Sequence, residues 1–249
     1  NLRELANPII KECLKMAQIN GGLEITTQSD VPAKSGLGGS GAFEVGLLNA
    51  LYAYKNKPAT PLVLAKDATK IEIQKLKKPV GPQDQYITAL GGINYFEIDK
   101  EGKISFEPLH LSDQSLKELE SNLLFFQTGL YHDTEKILGD QQSKIASSDK
   151  QIIKTLDRIK EIGQMAKSYL LSGRIDDFGR TLHEHWLVKK RLSAKVSSEK
   201  IDQWYELGIK NGALGGKILG SGGGGWLVFY VNKNHHQFID KMSQNGLVY

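Results

Sequence analysis

Ten consecutive residues constrain this chain most: Pro32-Ala33-Lys34-Ser35-Gly36-Leu37-Gly38-Gly39-Ser40-Gly41. Before them, Leu23, Ile25 and Thr27 alternate with polar residues, the pattern of a half-buried strand. After them, Ala42 to Tyr54 carries Val45, Leu48, Leu51 and Tyr52 and reads as a helix. Glycines let a backbone approach a ligand closely and adopt positive φ. A helix beginning at such a loop presents free N–H groups and the positive end of its dipole. Strand, glycine loop and helix together make a phosphate cradle. No Gly-Lys-Ser/Thr closes the loop, so it is not a Walker A motif. Gly36, Gly38 and Gly41 do fit G-x-G-x-x-G. The polar Ser29–Ser35, however, stands where a dinucleotide-binding strand would run straight into its glycines. A tight turn is the plainer alternative; the length and placement of the loop favour phosphate.

The remaining pattern is mixed. Asn7-Pro8 caps and opens a helix whose apolar face is Ile9, Ile10, Cys13, Leu14 and Ala17. Thr60-Pro61 starts another, running to about Leu76. Pro79–Asp84 reads as a loop, and Ile93–Ile98 with Lys103–Glu107 as a hairpin turning at Asp99–Gly102. Asn122–Thr128 is an apolar strand. Helical spacing recurs over Ile152–Leu171, Asp176–Leu192, Ser198–Lys210 and His235–Gln244. Lys217–Gly220 and Trp226–Val231 read as strands. Hairpins beside helices point to an α+β fold rather than a doubly wound sheet, with composition shifting near Leu111–Ser121.

Three further places could carry chemistry. Asp84, in Gly81-Pro82-Gln83-Asp84-Gln85-Tyr86, is by itself read first as a turn or capping residue. Glu72 follows apolar Ile71 at the edge of a core-facing stripe, and by itself reads as a solvated helix glutamate. Gly222–Gly225, between two strands, is costly in chain entropy unless its backbone packs on a ligand or another loop.

Composition excludes several classes. A net charge of +4 is too small and dispersed for a nucleic-acid surface, though it suits an anionic substrate. No apolar run is long enough for a membrane span, and the N-terminal residues do not read as a signal peptide. Cys13 is the one cysteine, which rules out a disulfide framework and a thiolate metal cluster. A cytoplasmic protein is expected.

The loop motifs resemble those of the GHMP kinases. PAKSGLGGSG is similar to their second motif, P-x-x-x-G-L-G-S-S-A, and KILGSGGGGWLVF to their third, a glycine loop between two strands. VGPQDQY resembles the sugar-kinase loop with the catalytic Asp. KIEIQKLKKPVGPQDQY, Gly91-Gly92-Ile93, HEHWLVKKRLS and GGKILGSGGGG together are similar to D-glycero-D-manno-heptose 7-phosphate kinases. The resemblance covers essentially the whole chain. It implies a two-domain α+β architecture: a ribosomal-protein-S5-like part over residues 1–115 and a ferredoxin-like part over 116–249. It also implies transfer of the γ-phosphoryl of ATP to a sugar hydroxyl, at C1 of a heptose 7-phosphate, towards nucleotide-activated heptose. Other readings are a kinase for another sugar such as L-fucose, or a fragment that binds nucleotide without activity.

By the same resemblance, Asp84 takes or orients the acceptor proton, and Ser40 and Glu72 hold Mg2+. Pro32, Lys34, Ser35, Gly36, Leu37, Gly38, Gly39, Ser40 and Gly41 cradle ATP, and Gly222, Gly223 and Gly224 close on it. The expected partners are small molecules, ATP and a sugar phosphate. Gly39 and Gly41 replace a serine and an alanine of the motif. His132 stands where the heptose kinases have an arginine, whose permanent bidentate charge histidine lacks. The family's first motif has no counterpart here, so further elements upstream of Asn1 are expected.

Overall fold

The computed structural model describes residues 2, 4–32, 35–131, 134–146 and 149–249. The chain divides into two compact units: Asn1–Ala33 with Gly38–Pro108, and Lys34–Leu37 with Leu109–Tyr249.

In the first unit, helix α1 spans Pro8–Met16, and the Asn7 side chain accepts from the N–H groups of Ile9 and Ile10 as the capping signal requires. Helix α2 is Gly39–Tyr54 and starts three residues earlier than the apolar spacing indicates, so Gly39, Ser40 and Gly41 form its first turn. Helix α3, Pro61–Thr69, is capped by Thr60 and runs on into a π-helical segment, Lys70–Lys75. Helix α4 covers Gln83–Leu90, which places Asp84 in a first helical turn rather than in a loop. Strands β1, Asn94–Ile98, and β2, Ile104–Pro108, form the expected antiparallel hairpin. Leu48, Cys13 and Ile71 are fully buried in the core that α1, α2 and α3 share.

Leu23–Thr27 is not a strand. The alternation is present, with Leu23 and Ile25 half-buried and their neighbours exposed, but among the described residues no strand supplies a ladder partner. A side-chain pattern records burial on one side; a strand also needs its backbone groups paired.

The second unit holds helix α5, Asp113–Asn122, strand β3, Leu123–Gln127, and helices α6, Thr134–Ala146, α7, Lys150–Leu171, α8, Ile175–Lys189, and α9, Glu199–Lys210. Strand β4, Gly215–Ile218, strand β5, Trp226–Tyr230, and helix α10, His235–Gln244, complete it. The sheet is antiparallel in the order β3-β5-β4. Helix α8 packs close because Gly179 lies against the ring of Tyr230 and Gly215 against the Gly179 backbone. On the opposite face, Gly208 of α9 lies against Phe229. Phe126, Phe229 and Phe238 meet in the core, with Phe229 and Phe238 centroids 5.3 Å apart. No helix among the described residues is long and apolar enough to cross a membrane.

Candidate active site

In the first unit, Asp84 is pressed against the glycine loop. A Cβ on Gly38 would sit 3.2 Å from the Asp84 carboxyl carbon, and one on Gly41 would sit 2.9 Å from the Asp84 Cβ. Gly38 is the N-cap of α2 with φ +71°, a left-handed conformation that costs an ordinary residue about 1–2 kcal/mol. The next N–H groups, at the start of α2, have no partners within the helix. Ser40, exposed, stands among them.

Behind Asp84 lies a charged network. Glu72 is only 2% exposed: the π segment, with its extra residue per turn, carries it inward from the edge of the helix stripe. One Glu72 oxygen accepts from the Lys78 ammonium at 2.8 Å, and the other accepts a short bond from the Gln85 amide. Burial, and then the negative charge of Glu72, raise the Asp84 carboxyl above the usual carboxylate range. That direction suits a general base. Glu44 of α2 is fully buried with both oxygens unpaired, and burial followed by the charge of Glu72 pushes its pKa up to about 8. The Gln85 carbonyl oxygen is also buried and unpaired.

Among the described residues, no cluster of three or more His, Cys, Asp or Glu could hold a metal unaided. Of Ser40 and Glu72, Ser40 alone has the exposed oxygen that Mg2+, which takes one or two protein oxygens and completes its shell with phosphate oxygens and water, could use directly; Glu72 is buried and paired. Glu72 keeps a lone pair on each oxygen after its bonds to Lys78 and Gln85.

In the second unit, Ser35 and Gly36 pack against the third glycine-rich stretch. A Cβ on Gly36 would meet the Leu219 carbonyl oxygen at 3.0 Å, and one on Gly220 would meet the Gly36 Cα at 2.8 Å. Gly225, at φ +81°, lies directly against the Ser35 backbone. Gly222 abuts Val196, whose carbonyl oxygen accepts from the Gly223 N–H at 2.8 Å, and the Leu130 carbonyl oxygen accepts from Gly225 at 2.8 Å. The glycine run is therefore held against other loops of its own unit.

Of the residues singled out from sequence, the first unit brings together Gly38, Gly41, Asp84 and Glu72, with Gly39 and Ser40 in the same turn. The second unit brings Ser35 and Gly36 to Leu219–Gly225, and Leu37 is exposed. Pro32 is exposed, and Lys34 and His132 lie outside the described residues. Glu44, Lys78 and Gln85 were not singled out. Glu44 had a signal: it falls on the helix face of Gly41, Val45 and Leu48, where a charge needs a reason.

Residues 4–92 match the family described as GHMP kinases N terminal domain, and residues 166–246 the one described as GHMP kinases C terminal. The chain belongs to the GHMP kinase family. A relative, the D-glycero-alpha-D-manno-heptose 7-phosphate kinase of Campylobacter jejuni, is 30% identical over 230 residues, 92% of this chain and 66% of the relative. A bifunctional fucokinase/GDP-fucose pyrophosphorylase of Arabidopsis thaliana is 27% identical over 208 residues, 82% of this chain and 19% of the relative. The chain thus spans just under two thirds of the first relative and far less of the second. A solved structure, a D-glycero-D-manno-heptose 1-phosphate kinase from Bacteroides thetaiotaomicron, superposes with a TM-score of 0.75 at 26% identity, over 97% of this chain and 69% of that one. In this member of the family, the N-terminal match contains Gly38–Gly41, Glu72 and Asp84, and the C-terminal match contains the glycine run.

Proposed function

We propose that this GHMP kinase transfers the γ-phosphoryl of ATP to a sugar hydroxyl, and that the acceptor is C1 of D-glycero-D-manno-heptose 7-phosphate. The observation that carries the phosphotransfer reading is the contact of Asp84, a carboxyl raised in pKa, with the glycines that open α2. Asp84 would accept the proton of the attacking hydroxyl. The loop N–H groups of Gly36–Gly41 would hold the phosphates, and by the family resemblance Pro32, Lys34, Ser35, Leu37 and Gly222–Gly224 would serve ATP as well. Ser40 and Glu72 would hold Mg2+, which offsets charge on phosphate oxygens when bound. Residues 1–115 would make up the ATP-binding domain and 116–249 the C-terminal domain. The choice of acceptor rests on the similarity to heptose phosphate kinases. The fucokinase relative supports L-fucose as the second reading. Steady-state kcat/KM measured on heptose 7-phosphate, L-fucose, galactose and mevalonate tests the ranking. Heptose 7-phosphate is expected to lead by at least tenfold, about 1.4 kcal/mol of discrimination; L-fucose in first place would replace it.

A further inference from the structure

On the face of the second unit's sheet that α8 covers, two lysines stand without a carboxylate beside them among the described residues. Lys217 lies on β4 opposite Val228 and two residues from Gly215, so alternation places it on the face that α8 covers. The last turn of α8 contributes Lys189, whose ammonium donates to the Gly220 carbonyl oxygen in a short bond. Gly220 is the residue that packs on Gly36. His185, also of α8, has a buried Nδ1 without a partner. Trp226 lies on β5 two residues from Val228, hence on the same face, and its buried indole N–H is unpaired as well.

No carboxylate among the described residues compensates this group. Burial, then the charge of Lys217, push Lys189 down to about 7, and burial pushes Lys217 down to about 8. Burial and both lysines hold His185 neutral. By contrast, the adjacent Lys190 pairs with Asp202 at 3.0 Å. Two ammonium groups taken partly out of water without an anion are costly, and the cost falls when an anion binds. Lysine meets phosphate well as a point charge, and Lys189 has two N–H groups left after its bond to Gly220.

We propose that Lys189 and Lys217 form a phosphate-binding site beside Gly220, filled by a phosphate group of a substrate. On the kinase reading above, that phosphate belongs either to ATP or to the phosphorylated acceptor. Both carry the same chemistry, and binding measurements separate them.

The first test uses inorganic phosphate and does not depend on kinase activity. Thermal melts of the protein are compared in phosphate and in chloride at matched ionic strength. Phosphate should raise the wild-type Tm above chloride, and Lys189→Met and Lys217→Met should each abolish that rise without lowering the Tm in chloride. No phosphate-specific rise in the wild type overturns the site, as does an equal rise in both variants. Lys217→Gln provides the same comparison if a Met variant fails to fold. The second test titrates ATP and mannose 6-phosphate calorimetrically. Each Met variant should lose at least tenfold in affinity for one of the two, and the one lost names the source of the phosphate. Unchanged affinity for both contradicts the site. A protein that turns over no sugar but shows the phosphate-dependent melt keeps this site and loses the kinase reading.

Discussion

Replacing Asp84 with Asn separates chemistry from folding at one atom. The two side chains are close in size, so the close packing on Gly38 and Gly41, where no Cβ would fit without displacing Asp84, persists. What is lost is the base. General-base groups contribute about 10²–10⁴-fold, so kcat should fall at least about 10²-fold, roughly 2.7 kcal/mol of barrier. Stability should move the other way. Ionised Asp84 in the first turn of α4 gains from the helix dipole, about 0.3–1 kcal/mol. Burial and the negative charge of Glu72 oppose it, and the net direction of the carboxyl is upward. A raised folded-state pKa means that ionisation at neutral pH favours the unfolded chain. The neutral Asn lifts that burden, so the Tm should hold or rise, by about 2–4 °C per kcal/mol for a protein of this size. A coupled assay at saturating ATP gives kcat, and calorimetric melting gives the Tm. A variant with near-normal kcat removes Asp84 from the mechanism. A variant that loses activity together with several degrees of Tm makes Asp84 a structural residue.

Ser40→Ala and Glu72→Gln should each raise the Mg2+ concentration for half-maximal rate; an unchanged requirement in both would displace the metal from these residues. Only Glu72→Gln should also lower the Tm, because it unpairs Lys78 in a largely buried setting, whereas Ser40 is exposed. Gly38→Val should weaken ATP binding in calorimetric titration and cost about 1–2 kcal/mol in denaturant unfolding, since φ +71° excludes a β-branched residue and its side chain would displace Asp84. Unchanged ATP affinity in that variant would remove the loop from nucleotide binding. Glu44 gives a pH signature. Its folded-state pKa of about 8 lies above the ordinary value of 4.5, so the folded protein holds the extra proton between them. Wild-type stability should therefore fall as pH rises from about 4.5 to about 8, by at most about 1.4 kcal/mol per unit for this one proton, while Glu44→Gln lacks that slope. Parallel stability curves for the two proteins in urea would show Glu44 ionised at neutral pH.

Local signals were readable wherever the cause is local. Asn7-Pro8 and Thr60-Pro61 name their helices because a cap and a fixed φ act within one turn. The Asp99–Gly102 turn names its hairpin for the same reason. Leu23–Thr27 shows the limit: alternation is local, but a ladder partner is not. Glu72 shows another. Its inward turn depends on a π segment, and nothing in a 3.6-residue pattern marks the extra residue. The glycine run was legible as backbone in close contact, but its partners Val196, Leu130 and Ser35 are remote in sequence. Of the candidate site, the motif residues could be named from their resemblance to the GHMP kinases. Glu44 left a trace as a charge on an apolar helix face, but Lys78 and Lys217 left none, because their meaning lies in burial and in what stands beside each in the fold.

The central claim is phosphoryl transfer to a sugar, and phosphorus NMR of the reaction mixture tests it most directly. With ATP, Mg2+ and heptose 7-phosphate, the account predicts that the γ-phosphate signal declines while a new phosphate signal, coupled to the anomeric proton, grows in equal amount. Loss of the γ-phosphate to inorganic phosphate alone, or no loss with any sugar offered, would contradict it.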